Sequence, residues 1–225
     1  MELKIENRIM ESFLENKPSK LHFAIFVIWL FQVSGMIGIA LGYGDWFLSK
    51  TPLNLSIFLL VTVLFFPILD RKTAWVGGIF FLAGMLVEWI GVHYEFLFGS
   101  YYYGENLGWK IDGVPLLIGV NWMILTLITG CISTYFFDKK IIRIIAASTL
   151  MIFLDFFMEV AAPPFDFWIW EEEVAPLRNY IAWFGIALVL HTIYQFANIR
   201  GNIKLSAHLY LAQLVFFAFF YFFLS

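Results

Sequence analysis

Four carboxylic acids lie within long apolar stretches of the sequence, where ionisable side chains are unusual. Glu88 and Glu95 are seven residues apart in one stretch, and Asp155 and Glu159 are four residues apart in another, so a helix would place each pair on one face. Acids inside a membrane are costly and mark functional sites by default. An acid beside a carboxylate can transfer protons without a metal or a nucleotide. The alternative is that these acids bond one another or backbone carbonyls and hold helices together.

The positions of the acids predict one site at a common depth. We expect Glu88, Asp155 and Glu159 to be catalytic groups that line one cavity, with Asp155 favoured as the acid because aspartic acid has the lower reference pKa. Glu95 is a weaker candidate nearer the interface. Asn121 and Trp122 are expected on the cavity wall. Aromatic faces can stabilise a carbocation. Four further tryptophans fall toward the same ends of the apolar stretches as the acids, or in the connections at those ends: Trp89, Trp168, Trp170 and Trp183.

Glycines also recur near the face of Glu88. Gly77, Gly84 and Gly91 are spaced seven residues apart. The spacing is typical of close helix packing. The alternative is a narrow slot beside Glu88 for a flat, elongated apolar ligand.

The elements that must position these residues are membrane helices. The 225 residues are 61% hydrophobic and only 14% charged, and the mean hydropathy is +0.81, too little charge to cover a soluble domain. Seven apolar runs are each long enough to cross a bilayer as a helix. The predicted fold is therefore an all-α integral membrane protein, a bundle of about seven transmembrane helices, with runs near residues 21–43, 52–69, 74–98, 114–137, 141–161, 180–198 and 205–224.

The distribution of basic residues predicts the orientation of the bundle. Eleven of the fourteen Lys and Arg residues fall in the N-terminal segment or in the connections before the third, fifth and seventh runs. The positive-inside rule then places the N-terminus in the cytoplasm and the C-terminus outside, in a multi-pass protein of the cell (inner) membrane. Residues 1–20 lack a signal-peptide pattern and are expected to form a cytoplasmic arm, with 21–225 as a single transmembrane domain.

Two connections, 99–113 and 162–179, are longer than a simple link requires. Both fall on the predicted outer side, and both are rich in Gly, Pro and aromatic residues. We expect them to be ordered and to pack over the outer mouth of the bundle. Asp112 and Asp166, which lie in these connections, are expected to be solvated.

Several classes of function find no support in the sequence. The thin spread of basic residues argues against nucleic-acid binding. The four histidines form no HxxxH or HxxHH box, which argues against a di-iron hydroxylase, and the seventh run has no central lysine for a retinal Schiff base. No Gly-rich nucleotide loop and no GxSxG motif are present. A minor alternative is that His22, His191 and His208 meet as haem or metal ligands in a redox protein; otherwise no metal and no cofactor are expected.

Two blocks of the sequence resemble the membrane carotenoid biosynthesis family that includes carotenoid 1,2-hydratases. The first is EWIGVHYEFLFGSYYYGENLGWKIDGVPLLIGVNW, residues 88–122, and the second is LDFFMEVAAPPFDFWIWEEEVAPLRNYIAWFG, residues 154–185. The first block is the more specific. The second departs from the family pattern at Ala175 and Ala182, where glycine is expected, and Asn121 stands in the first where an apolar or small residue is expected.

The resemblance implies an enzyme that hydrates the terminal C1–C2 double bond of an acyclic carotenoid end group to a tertiary alcohol, without a cofactor. It adds Tyr101, Tyr103 and Asn179 to the expected substrate-binding residues. The implied partners are the carotenoid, water and membrane lipid, together with other enzymes of carotenoid biosynthesis. The principal alternative from a different class is a non-catalytic lipophile carrier or assembly subunit, in which the same acids are structural.

Overall fold

Seven long helices, each apolar and long enough to cross a membrane, make up most of the protein. The structure is a computed structural model, and it describes residues 18–67 and 70–224. The prediction of an all-α bundle of seven membrane-spanning helices is confirmed. The helices are α1 (Pro18–Ala40), a short α2 (Gly44–Leu48) that leads into α3 (Thr51–Phe65), α4 (Arg71–Tyr94), α5 (Leu116–Phe136), α6 (Lys140–Ala161), α7 (Leu177–Ala197) and α8 (Ile203–Leu224).

Helix α5 forms the centre of the bundle. It contacts α3, α4, α6, α7 and α8, and it is the most buried of the seven spans. Helix α1 packs mainly against α8 and only lightly against α3. The bundle is therefore dense around α5 and more open between α1 and α3.

The two long connections are ordered and pair with each other, and this pairing was not predicted from the sequence. Strand β1 (Tyr101–Tyr103) pairs antiparallel with β4 (Trp168–Trp170), and Tyr102 lies opposite Ile169 in the ladder. Strands β2 (Lys110–Ile111) and β3 (Val114–Pro115) form a small hairpin just before α5. We call the paired connections 99–113 and 162–179 the lid. Side chains alternate between the two faces of a strand, and the first and third residues of β1 and of β4 are the buried ones. The pairing therefore directs four aromatic rings toward the bundle: Tyr101, Tyr103, Trp168 and Trp170.

The lid is tied together by side-chain contacts as well as by its ladder. The Oδ2 atom of Asp166 accepts a hydrogen bond of 2.7 Å from the Glu105 backbone N–H, and Asn106 Nδ2 donates to the Phe165 carbonyl. Gly104 lies against Asp166 so closely that a Cβ atom there would be 2.3 Å from the Asp166 carbonyl oxygen. Asp166 therefore has a structural role in the lid, rather than the purely solvated role expected.

The ends of the chain and of α4 differ from the sequence-based boundaries. Helix α1 begins at Pro18, so the last residues of the predicted arm 1–20 are helical, and residues 1–17 of that arm lie outside the described residues. The third apolar run was predicted over 74–98, but α4 ends at Tyr94 because Glu95 adopts the left-handed conformation with φ of 58°.

Gly84 and Gly91 of α4 serve packing rather than a ligand slot. A Cβ atom on Gly84 would lie 2.6 Å from Cβ of Trp122, and one on Gly91 would meet the rings of Phe98 and Tyr101. Protein side chains therefore fill the space beside Glu88 that the slot hypothesis reserved for a ligand. The close-packing alternative is the correct one.

Candidate active site

Glu88 is the acid that α4 delivers to the centre of the site. Its Oε2 atom accepts hydrogen bonds from the hydroxyls of Tyr101 and Tyr103, at 2.6 and 2.7 Å, and its Oε1 accepts one of 2.9 Å from Trp122 Nε1. The residue is buried. The lid and α5 thus supply three donors to one carboxylate, the arrangement that stabilises a buried negative charge.

The two tyrosines are built to stay hydrogen-bond donors. Burial, reinforced by the neighbouring Glu88 carboxylate, raises the pKa of Tyr101 and of Tyr103 well above the ordinary value for a phenol. Both hydroxyls therefore remain protonated at physiological pH and keep donating to Glu88.

Glu159 on α6 has a second cradle of the same design. Its Oε2 accepts from the indole N–H groups of Trp168 and Trp170, at 3.0 and 2.7 Å, and its Oε1 accepts from Asn179 Nδ2 at 2.8 Å. The tryptophans belong to β4 of the lid, and Asn179 lies in the first turn of α7. All three donors are buried. Each glutamate therefore accepts three hydrogen bonds from donors that belong to two different elements.

Asp155 differs from both glutamates. It lies one turn before Glu159 on α6 and is buried, yet neither carboxyl oxygen has a hydrogen-bond partner among residues 18–67 and 70–224. An unpaired buried polar group costs free energy and calls for an explanation.

The three acids line one small pocket, which we call the acidic pocket. Its volume is about 20 Å³, and a single water molecule needs roughly 10–15 Å³. The remaining wall consists of aromatic, amide and apolar side chains: Phe98, Tyr101, Tyr103, Ile118, Asn121, Trp122, Met158, Trp168, Trp170, Asn179 and Trp183. The site can therefore hold about one water molecule next to three carboxyl groups.

Aromatic rings surround the acids. Trp122 and Trp183 stack with centroids 3.9 Å apart, and Tyr101 lies 5.0 Å from Trp170. The indole N–H groups of Trp122 and Trp170 point to carboxylates, while their rings form part of the pocket wall. Ring faces attract cations, so the pocket combines fixed anions with π-faces.

Most of the residues predicted for the site come together here, but Glu95 and Trp89 do not. Glu95 is exposed at the end of α4 and accepts a hydrogen bond from Ser100 Oγ. It misses the pocket because the helix stops one residue before it. Trp89 points away from Glu88 and donates to Asp112 at 2.8 Å. Consecutive residues on a helix face different directions, so Trp89 cannot share the pocket with Glu88.

Asp112 has a structural contact instead of a purely solvated one. Its carboxylate accepts from Trp89 Nε1 and lies 3.2 Å from His93 Nε2. The Trp89 hydrogen bond, with a contribution from His93, holds the pKa of Asp112 below its usual value. This contact fixes the β2–β3 hairpin to the end of α4.

The histidines considered as haem or metal ligands, His22, His191 and His208, form no three-ligand group among the described residues. His191 is buried on α7, where Nε2 is 2.8 Å from Thr129 Oγ1 and Nδ1 is 2.8 Å from the Ala187 carbonyl oxygen. His208 accepts a hydrogen bond from Trp29 Nε1. Within the part of the chain that the structure describes, no three His, Cys, Asp or Glu side chains are grouped to hold a metal ion.

Sequence reasoning missed several residues of the site. Phe98, Ile118 and Met158 complete the pocket wall, but they are ordinary apolar residues with no distinguishing pattern. It also missed three amides in apolar runs, Gln32, Asn54 and Gln213, which line a larger neighbouring cavity. Polar side chains within membrane helices are a signal that could have identified these three.

Comparison with known proteins assigns the family. The family model described as carotenoid biosynthesis protein matches residues 52–225, which contain the acidic pocket and all of the lid. No curated protein matches the chain, and no solved structure matches it either. The match covers well over half of the sequence and agrees with the resemblance seen in the two motif blocks. The chain belongs to the carotenoid biosynthesis protein family.

Proposed function

We propose that the protein is a carotenoid 1,2-hydratase, which adds water across the terminal double bond of an acyclic carotenoid end group. Membership of the carotenoid biosynthesis family supports a role as an enzyme acting on a carotenoid in the membrane. The hydratase reaction is the chemistry that the acidic pocket supports best, because addition of water requires a proton donor, a proton acceptor and one water molecule.

The unpaired carboxyl group of Asp155 is the observation that carries this proposal. Glu88 and Glu159 each accept three hydrogen bonds, so both are stabilised as anions. Among the described residues, no donor lies within hydrogen-bond distance and geometry of either Asp155 oxygen, and a buried group without donors is less costly in its neutral form. Asp155 is accordingly the group that holds the transferable proton.

The reaction proceeds in two bond-forming steps. The Asp155 carboxyl proton adds to C2, the less substituted alkene carbon, and the alkene electron pair forms the new C–H bond, leaving a tertiary cation at C1. Water then attacks C1 through oxygen, and the resulting oxonium loses a proton to a carboxylate. Glu159, one turn from Asp155 on the same helix, accepts that proton and returns it to Asp155. The net change is the addition of one water molecule.

The pocket stabilises the cation by its fixed charges and rings. The anionic forms of Glu88 and Glu159 would be held in place by neutral donors, and preorganised charge of this kind lowers a charged transition state. The stacked pair Trp122 and Trp183 and the lid tryptophans add π-faces. A carboxylic acid is a weak acid for an alkene, so this stabilisation is what makes the first step accessible.

The competing interpretation is a lipophile-binding protein in which the acids are structural. The three hydrogen bonds that each of Glu88 and Glu159 accepts suit such a role, since each set of bonds joins two elements to the bundle. Asp155 does not, because its carboxyl group makes no hydrogen bond to any residue that the structure describes. The two interpretations therefore differ most sharply at Asp155.

Expression in a carotenoid-producing host that lacks the hydration step tests the proposal. We expect the wild-type protein to yield a product heavier by the mass of one water. Asp155→Asn keeps the shape of the side chain and removes the acid, and it should lower product formation about 10²–10⁴-fold. Asp138→Asn is the matched control, because Asp138 is exposed in the connection between α5 and α6 and should leave turnover unchanged.

Two outcomes would contradict the hydratase assignment. One is an unaltered carotenoid in the presence of well-expressed, membrane-inserted wild-type protein. The other is near-normal turnover by Asp155→Asn, which would return Asp155 to a structural role and favour the lipophile-binding interpretation.

A further inference from the structure

A large apolar cavity lies beside the acidic pocket, and we call it the apolar groove. Its volume is about 450 Å³, and it runs between α1, α3, α5 and α8. This volume is within the range of sites for small organic ligands, roughly 300–1,000 Å³. Phe31, Phe47, Phe58 and Phe217 contribute rings to its wall. A lining of this kind favours a hydrocarbon and disfavours a charged ligand.

The few polar side chains of the groove do not change that preference. Gln32 and Asn54 contact each other, with Asn54 Nδ2 3.5 Å from Gln32 Oε1. The buried Gln213 donates to the Leu209 carbonyl of its own helix. Lys50 lies at the rim, where its ammonium group is 5.7 Å from the centre of the Trp46 ring. Lys50 is the one charged side chain among the described residues that line the groove, so this lining offers no pair of charges to a polar head group.

The groove and the acidic pocket share part of their walls. Ile118, Asn121, Met158 and Trp168 line both. Trp168 also donates its indole N–H to Glu159, so one side chain belongs to the groove and to a carboxylate cradle. A linear ligand lying in the groove would therefore have one end at the carboxyl groups.

The other side of the groove opens to the surface of the bundle. Leu30 on α1, Trp46 on α2 and Leu53 on α3 line the groove and are also exposed. Helix α3 belongs to the least buried of the seven spans, and it contacts α1 only lightly. In a membrane, exposed apolar side chains on spanning helices face lipid, so the opening faces the bilayer and not the aqueous phase.

We propose that the apolar groove binds the polyene chain of the carotenoid, which enters sideways from the bilayer between α1 and α3 and presents its terminal double bond to the acidic pocket. The inference builds on the proposed function for the identity of the reacting end. It explains how a water-insoluble chain reaches a site covered by the lid. An extended polyene has no head group to bury, and its end group places an alkene next to Asp155. A phospholipid carries a polar head group and places no terminal alkene there.

A matched pair of serines tests the groove. Ser34 lines the groove, and its hydroxyl bonds only the Phe31 carbonyl of its own helix. Ser56 is exposed on α3 and bonds the Pro52 carbonyl in the same way. Ser34→Trp fills the groove, while Ser56→Trp adds the same bulk on the lipid-facing side. The measurement is the amount of lycopene, an acyclic polyene hydrocarbon, that co-purifies with each detergent-solubilised variant, read from its visible absorbance per mole of protein.

We expect Ser34→Trp to bind at least about tenfold less lycopene than wild type. The indole ring and the polyene would compete for the same space, and overpacking is strongly unfavourable. Ser56→Trp should bind as much as wild type. Equal binding by Ser34→Trp and wild type would overturn the groove assignment, and so would a wild-type groove that retains only phospholipid by mass spectrometry. Binding without hydration by the wild-type protein would instead refute the proposed function and leave the groove in place.

Discussion

Replacing the two acids of α6 by apolar residues should have opposite effects on stability. Asp155 and Glu159 are one helical turn apart and both are buried. Glu159→Met removes the acceptor for three buried donors, on Trp168, Trp170 and Asn179. Each orphaned donor costs about 1–3 kcal/mol, so the loss is about 3–9 kcal/mol. This is comparable to the whole stability of a typical domain, about 5–15 kcal/mol.

Asp155→Leu orphans nothing. Leucine has the same branched skeleton as aspartic acid, and the carboxyl oxygens that it replaces have no partner among the residues the structure describes. Removal of an unpaired buried polar group recovers about 1–3 kcal/mol. The larger methyl groups are partly accommodated by the cavity of about 20 Å³ beside them. We therefore expect Asp155→Leu to be as stable as wild type or more stable by about 1–2 kcal/mol.

The assay is the apparent melting temperature in detergent, measured as the fraction of protein that remains monodisperse on size exclusion after heating. The expected order is Asp155→Leu at or above wild type, with Glu159→Met well below both. Product formation should be lost in Asp155→Leu despite its stability. A large drop in melting temperature for Asp155→Leu would refute the reasoning, because it would show that the carboxyl group has a stabilising partner.

Further predictions concern α4, the Glu88 cradle and the topology. Gly84→Val should displace Trp122 and lower both melting temperature and turnover, whereas Gly78→Val, where a Cβ atom meets nothing within 4 Å, should leave both unchanged. Tyr103→Phe removes one of the three donors to Glu88; we expect a loss of about 1–3 kcal/mol in stability, measured by the same melting assay, and reduced turnover. Reporter fusions should read as periplasmic after residues 105 and 172 and as cytoplasmic after residues 71 and 140, and the opposite pattern would reverse the predicted orientation.

Hydropathy was sufficient to predict the seven helices, because each span must be long and apolar whatever it packs against. It failed at the end of α4, where Phe96 and Leu97 continue the apolar run although the helix has stopped at Tyr94. A left-handed residue such as Glu95 carries no hydropathy signal. Because the helix was predicted to continue to residue 98, Glu95 was predicted to lie on the same helix face as Glu88. In the structure α4 ends before Glu95, and Glu95 does not share that face.

The meeting of three acids in one pocket follows from helix spacing, but their inequality does not. Spacing places Asp155 and Glu159 on one face of α6, and nothing in the sequence says that only Glu159 is bonded. The deciding donors come from β4 and from the start of α7. Their positions depend on the pairing of two irregular connections in the lid, and such long-range pairing has no local periodicity to reveal it.

The hydrogen-bonding properties of aromatic side chains account for the aromatic content of the lid. Tyrosine and tryptophan each donate a hydrogen bond from one edge of the ring, and the tryptophan N–H is a donor only. An aromatic lid can therefore hold buried anions without introducing a positive charge. In the proposed hydration, a lysine or arginine in the same place would neutralise the glutamates and cancel the field that the cation needs. Neutral donors to Glu88 and Glu159 would instead leave the charge of their anionic forms available to the end group of the proposed substrate. The ring faces that remain after the N–H and O–H groups are engaged then form the wall against which that end must lie.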